Sequence, residues 1–378
     1  MNILLCKPLV LLTGLGTALT LPASADRLTI ELDSSYALSH FEEFDWFGGA
    51  EDFTAGVNFA DFDGDGDLDL AVINGRHWPQ ADELMLNNGR GQFPQSRDIG
   101  DWRTTGYGGC PADVDGDGDV DLLIPRDRLP VALFVNDGTG ALSEAGEIGE
   151  PGAARSCFTA DITQNGFPDL VIADRGGRSF IALGPLAEPD PSLIPIFDGR
   201  AVGVSGGDLN NDGEIDLVFA LRGEATLAVL LSEGDAYAEP VYLGNDEQES
   251  RSVALADWDG DGDLDLVTAV LSGPNLVYLN DGGTFEETLE IGPAEEISAA
   301  VRTADFNGDG RLDAVFGNET ANSVVLNLEA GPQRIELPGS SDTYDLEVGD
   351  LNGDGLPDVA FANSDAENTL FFGKKIAD

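Results

Sequence analysis

The sequence predicts an all-β fold, a seven-bladed β-propeller whose blades are four-stranded antiparallel sheets. One nine-residue acidic pattern occurs seven times, with starts 52, 48, 47, 49, 48 and 45 residues apart. Each interval holds four short strand-like segments separated by Gly and Asn/Asp turns, and no long stretch keeps a helical period. A repeat of this length is one supersecondary unit, and seven such sheets protect their edges by closing into a ring.

Residues 1–25 read as a signal peptide. They contain no acid and one base, Lys7, and an apolar stretch from Leu9 to Leu21 leads to the small-x-small pattern Ala23-Ser24-Ala25. Cleavage is expected before Asp26, leaving a propeller over 26–378 that is exported to the periplasm or beyond the cell. The apolar run is short for a membrane span, and no transmembrane anchor is expected.

Within each repeat the order is constant. A segment of small and apolar residues precedes the acidic pattern, as in Ala55–Ala60 and Val253–Ala256, and an apolar run such as Leu68–Ile73 or Leu264–Val270 follows it. A third segment often ends in Asn-Asn-Gly or Asn-Asp-Gly, as at Leu84–Gly89, Leu133–Gly138 and Val277–Gly282, and a more polar fourth follows, such as Phe93–Ile99. The last repeat supplies only three strands before the chain ends. The segment Arg27–Leu32 resembles the outer strand Gln333–Leu337, so it is expected to complete the seventh blade and close the ring non-covalently.

The acidic patterns fit Ca²⁺, a hard cation that takes six to eight oxygens at about 2.3–2.6 Å. Acids at positions 1, 3 and 5 place three side-chain oxygens on one side of a tight turn. Gly at position 6 permits the reversal, position 7 offers its carbonyl, and Asp at position 9 closes the shell. Three loops are fullest: Asp61, Asp63, Asp65, Asp67 and Asp69 in 61–69; Asp113, Asp115, Asp117, Asp119 and Asp121 in 113–121; Asp257, Asp259, Asp261, Asp263 and Asp265 in 257–265. Three carry Asn at position 3. They are Asp208, Asn210, Asp212, Glu214 and Asp216 in 208–216; Asp305, Asn307, Asp309, Arg311 and Asp313 in 305–313; and Asp350, Asn352, Asp354, Leu356 and Asp358 in 350–358. The loop 161–169 offers only Asp161, Asn165 and Asp169, with Thr163 at position 3, and is expected to bind weakly or not at all. Up to seven Ca²⁺ ions follow. An EF-hand is rejected, because position 12 holds Val72, Ile124, Ile172, Phe219, Thr268, Phe316 or Phe361 where that motif needs Glu. Position 2 is apolar in every loop and is expected to point into its blade. Without metal the clustered carboxylates repel, so calcium is expected to be a requirement for stability.

Acidity extends beyond the loops: 70 acids oppose 19 bases, for a formal net charge of −51. Nucleic acid and anionic membrane surfaces are therefore poor partners, and neither is expected; a monomer is expected. Cys110 and Cys157 precede two consecutive loops by three and four residues, which suits neighbouring inner strands. A disulfide and two small buried thiols are both compatible with that placement.

The nine-residue motif and its spacing resemble the FG-GAP and VCBS-type repeats of bacterial exported proteins, related in fold to the propeller of integrin alpha subunits. The resemblance covers about residues 27–378 and is specific for fold and metal loops rather than for function. Departures from the integrin pattern are the missing Gly-Ala-Pro tails after the loops and the absence of leg domains and a transmembrane segment. The resemblance implies that each loop joins a blade's first and second strands. The opposite face then collects the turns between strands two and three and the connections between blades.

That mapping places ten of the sixteen arginines on one face: Arg76, Arg126, Arg128, Arg175, Arg178 and Arg222 in turns, and Arg103, Arg155, Arg200 and Arg251 in or beside connections. Trp46, Phe47, Trp78, Trp102 and Tyr107 share it. Arg155, Arg251, Tyr107 and Tyr344 each stand six residues before a loop and are expected to ring the mouth of the central channel. The candidate ligand residues are thus Arg76, Trp78, Trp102, Arg103, Tyr107, Arg155, Arg251 and Tyr344, suited to an anionic or carbohydrate ligand. Arginines that merely neutralise nearby acids are the competing reading. With two histidines, no Gly-x-Ser-x-Gly elbow and no phosphate-cradling loop, binding rather than catalysis is expected. Three classes stand open: an interaction scaffold for a protein partner, a lectin-like module for acidic carbohydrate, and a polysaccharide lyase or hydrolase using paired carboxylates.

Overall fold

Seven inner strands converge on one axis, and small side chains make this convergence possible. Thr54–Ala60, Cys110–Ala112, Ala154–Ala160, Ala201–Gly207, Ser250–Ala256, Ser298–Ala304 and Asp342–Gly349 contact one another around the ring. A Cβ on Gly56 would lie 2.5 Å from the Gly108 Cα, so the first seam closes this tightly only because position 56 is glycine. The computed structural model describes residues 27–376 apart from 33–34, 42–45, 50–51, 224, 235, 340–341 and 365. The signal-peptide segment 1–25 lies outside the described residues.

Each blade runs outward in chain order. Blade 1, for example, is Thr54–Ala60, Asp69–Asn74, Gln80–Leu86 and Gln95–Thr104, all antiparallel, and blades 2 to 6 repeat this plan. The described residues contain no helix. Second strands such as Asp69–Asn74, Asp216–Leu221 and Asp265–Val270 are buried at every position, because a neighbouring blade covers each face. That double cover explains why they read as continuous apolar runs rather than alternating ones.

The core is divided into seven apolar clusters, one at each seam between adjacent blades. At the first seam, Phe62, Ile73 and Leu86 of blade 1 meet Leu122, Ile124 and Phe134 of blade 2. The loop residue at position 2 therefore does more than fill its own blade. Phe62, Val114, Ile162, Leu209, Trp258, Phe306 and Leu351 each pack into the seam shared with the following blade.

The N-terminal segment closes the ring, through a different strand from the one its sequence suggested. Tyr36–Phe41 pairs with the last strand, Asn368–Lys375, with Leu38 opposite Gly373, and Arg27–Glu31 adds a fifth strand outside it. Leu38 is fully buried in the seam between blades 6 and 7, and the half-buried Ile30 packs against the same cluster from the strand outside it. A further short strand, Trp46–Phe47, also pairs with Asn368–Lys375, and Phe47 packs into the seam between blades 7 and 1. The Cys110–Cys157 pair is a disulfide with Cα atoms 6.1 Å apart, joining blade 2, whose inner strand is the shortest, to blade 3.

Candidate functional site

All seven acidic loops connect an inner strand to a second strand, so they share one end of the ring. Their backbones are wrapped by their own side chains. The carboxylate at position 1 accepts N–H groups from across the turn, as Asp61 does from Asp65 and Gly66 and Asp350 does from Asp354 and Gly355. Asp161 does the same in the acid-poor loop, so the wrap does not depend on positions 3 and 5.

Position 9 has a role that its motif did not reveal. All seven of these aspartates are fully buried. In six loops Oδ2 accepts the N–H of position 2, and in every blade Oδ1 accepts an N–H where the third strand ends. Asp265, for instance, accepts from Trp258 at 2.8 Å and from Asn280 at 2.8 Å. In the remaining loop, Asp169 accepts both the N–H and the hydroxyl of Thr163. Burial pushes Asp69, Asp265 and Asp313 up to about 6 and Asp358 to about 7, with hydrogen bonds from the main chain pulling the other way.

Three loops bring carboxylate oxygens from positions 1, 3 and 9 within 4.8 Å of one another: Asp61, Asp63 and Asp69; Asp113, Asp115 and Asp121; Asp257, Asp259 and Asp265. In the first, Asp63 Oδ1 is buried without a hydrogen-bond partner. A hard, oxygen-seeking cation suits that donor set. Asn210, Asn307 and Asn352 hold position 3 as its Asp counterparts do, each amide oxygen accepting the N–H of position 5. Position 7 side chains turn elsewhere. Asp263 accepts from Gly282, Glu214 from Ser232 and Gly234, and Arg311 lies 3.4 Å from Asp309.

The opposite mouth of the channel is a cavity of about 580 Å³ whose lining contains six arginines and a single carboxylate, Asp345. Arg302 lies 3.5 Å from that Asp345 and 3.4 Å from Glu347. The other five line the same cavity as Tyr107 and Tyr344, whose ring centroids are 6.1 Å apart. The Arg155 Cζ stands 4.0 Å from the Tyr107 ring centroid, and Arg76 and Arg251 stand 3.9 and 3.2 Å from that of Tyr344. Arg155 is paired with Asp127 at 2.7 Å and Arg222 with Glu249 at 2.7 Å, while Arg76 donates to Ser364 at 2.7 Å. Arg175 and Arg251 have no carboxylate in ion-pair range among the described residues. Burial, then the charges of Arg76 and Arg222, push Arg251 down to about 9.

Five of the eight ligand residues singled out from sequence therefore converge: Arg76, Tyr107, Arg155, Arg251 and Tyr344. Trp78 is 66% exposed on a turn outside the cavity, and Arg103 lines a separate recess with Asp98 and Glu144 at the outer rim. The Trp102 side chain lies outside the described residues. Arg126 is buried and bonded to Glu147 and Pro130, a structural role. Sequence reasoning missed His77, whose ring lies 3.0 Å from the Tyr107 hydroxyl, and Asp127, which holds both Arg155 and His77. Although burial works against it, Arg155 and His77 hold the Asp127 carboxyl below its ordinary value. The available signal was position: His77 and Asp127 occupy the turns between second and third strands that also carry Arg76 and Arg126.

The fold and its two faces define a seven-bladed propeller with Asp-rich loops at one end and an arginine-lined mouth at the other. An FG-GAP-like repeat matches at 61–124, 113–172, 208–268, 257–316 and 305–361, more than half of the chain, and the protein belongs to the FG-GAP repeat family. No curated protein matches it in sequence. Similar solved structures include the BP39L lectin from Burkholderia pseudomallei, 13% identical over 86% of this chain and 98% of that one, with a TM-score of 0.66. An Agrocybe aegerita lectin that recognises non-reducing terminal N-acetylglucosamine is 19% identical over 83% and 86%, with a TM-score of 0.54. BBS1N, solved in complex with ARL6DN, is 13% identical over 89% and 98%, with a TM-score of 0.60. At such identities the likeness concerns the fold alone.

Proposed function

We propose that this chain is an exported, calcium-binding propeller that works as a binding module through the face opposite its metal loops. The observation that carries this reading is the separation of charge: in a protein of net charge −51, six arginines and one carboxylate line the far mouth. Desolvated like charges held together cost folding free energy, and a ligand that neutralises them recovers it. Loops 61–69, 113–121 and 257–265 are the strongest metal sites on this reading, through positions 1, 3 and 9, with position 7 contributing its carbonyl. The loop 161–169 is the weakest, since it offers carboxylates only at positions 1 and 9. Export follows from the 1–25 segment and agrees with the Cys110–Cys157 disulfide, which persists in oxidising compartments.

A second reading, lectin-like binding of acidic carbohydrate, draws support from the arginine–tyrosine mouth and from the two lectins among the similar folds. Protein binding draws on BBS1N in the same way. The test is retention of the mature, calcium-loaded protein on immobilised acidic and neutral polysaccharides, with calcium counted by titration calorimetry. Binding that survives changes at Asp115 and Asp259 but not at the arginine mouth supports the reading. Binding that follows the loop changes, with the fold intact, would place the ligand on the metal face and overturn it.

A further inference from the structure

Arg175 and Arg251 are the anomaly of this mouth. An arginine that is partly withdrawn from water ordinarily has a carboxylate or carbonyl partner, because unpaired desolvated charge is costly. Neither has one among the described residues, although the chain holds 70 acids that could have supplied it. Both feel repulsion instead. Arg175 is pushed below the ordinary arginine value by burial and then by Arg222, Arg155 and Arg200, and Arg251 by burial and then by Arg76 and Arg222. The neighbouring wall holds further unsatisfied polar atoms. Arg76 Nε and Asn58 Oδ1 are buried without hydrogen-bond partners, and Asn58 is only 9% exposed. Arg175 and Arg251 line one cavity of about 580 Å³, a volume typical of small-molecule sites.

The donor set selects the ligand. Guanidinium forks match the planar oxygens of a carboxylate. Stacking on Tyr344 covers one face of Arg251 and leaves the N–H edges as the groups open to a ligand. Because Tyr107 and Tyr344 are themselves covered by arginines, their rings are not free to stack on a sugar. Below the arginines the channel wall mixes hydroxyls, from Ser156, Ser252 and Thr303, with apolar side chains such as Val204 and Val253. We infer that this mouth is a sugar-acid site, in which Arg175 and Arg251 take the carboxylate of one uronate and the hydroxyl-bearing part of the wall meets its ring hydroxyls. The inference rests on the reading of this face as the binding face and assigns it a ligand class. A free sugar acid and the uronate end of an oligosaccharide present the same chemistry.

Titration calorimetry of the mature, calcium-loaded protein with galacturonic acid, trigalacturonic acid and galactose tests it. Either acid is expected to bind at least roughly tenfold more tightly than galactose, the size expected for a charge-assisted pair. Equal binding of monomer and trimer identifies a free sugar acid, and preference for the trimer identifies a chain end; both support the inference. Arg175→Gln and Arg251→Gln are each expected to weaken acid binding roughly tenfold while leaving the melting temperature unchanged or higher, since each removes a repelled cation. If acid and galactose bind alike, or both variants bind the acid as the parent does, the sugar-acid inference fails while the binding-module reading stands. If none of the three binds, the inference fails as well, and polysaccharide retention judges the broader reading separately.

Discussion

Asn136 Nδ2 donates to the carbonyl of Phe62 at 2.7 Å, tying the third strand of blade 2 to the acidic loop of blade 1. The same amide donates to Val120 in its own blade, and its main-chain N–H donates to Asp121. Phe62 is therefore held at three points: its side chain fills the seam, its N–H is taken by Asp69, and its carbonyl by the next blade. Asn87 with Leu351, Asn280 with Leu209 and Asn327 with Trp258 repeat the tie. The seam between blades 2 and 3 has Gly184 in place of that Asn and carries the disulfide.

Asn136→Ala removes two side-chain donor contacts and the acceptor of the Gly140 N–H, and leaves the Phe62 carbonyl without this partner. A loss of about 1–3 kcal/mol is expected, read as a lower denaturation midpoint in calcium-loaded protein. Asn136→Asp is expected to be worse, because a carboxylate would face two carbonyls.

Positions 3 and 9 of one loop separate metal binding from architecture. Asp265→Asn turns one of the two oxygens that accept Trp258 and Asn280 into an NH2 donor facing an N–H, so it is expected to destabilise by about 1–3 kcal/mol even with chelator present. Asp259→Asn is expected to lose only the calcium-dependent part of the melting temperature. In chelator it holds or gains stability, because burial and then Asp261 and Asp257 already disfavour its charge. Equal losses by both variants in chelator would argue against this division.

Asp82 is fully buried in blade 1, accepting from the Asn74 N–H at 2.7 Å and the Thr104 hydroxyl at 3.2 Å. Burial raises its carboxyl to about 7. A carboxyl raised on folding adds stability that is complete below about pH 4 and lost as pH climbs through the folded value. Asp82→Asn keeps both hydrogen bonds in neutral form. Its melting temperature is expected to gain on the parent as pH rises from about 4 to 7, and parallel curves would contradict this. The raised position 9 carboxyls act in the same direction in chelator. Calcium is expected to reverse that trend, because ligands must lose their protons to bind it.

The disulfide closes a loop with a sequence separation of 47 residues between blades 2 and 3. Cys110→Ser with Cys157→Ser is expected to cost about 4 kcal/mol on the chain-entropy account, visible as earlier unfolding in denaturant. No change would mean that the seam's apolar cluster, with Val114, Leu133 and Leu170, holds it alone.

The seven-blade count, the strand order and the loop positions were legible in the sequence because each is set locally. Period, turn residues and apolar runs repeat within 45–52 residues, and every repeat must solve the same packing problem. The arginine mouth was partly legible for the same reason: residues six positions before a loop, such as Tyr107 and Arg155, reach equivalent places in every blade. Relations between repeats lay beyond it. Which N-terminal strand pairs with Asn368–Lys375, whether Cys110 meets Cys157, and which arginines find carboxylates depend on atoms far apart in the chain. Asp127 could have balanced any nearby cation, and only the closed ring sets it on Arg155 and leaves Arg251 against Tyr344 and other arginines. Local pattern determined the blade; the ring, by bringing seven copies to one axis, decided which charges meet.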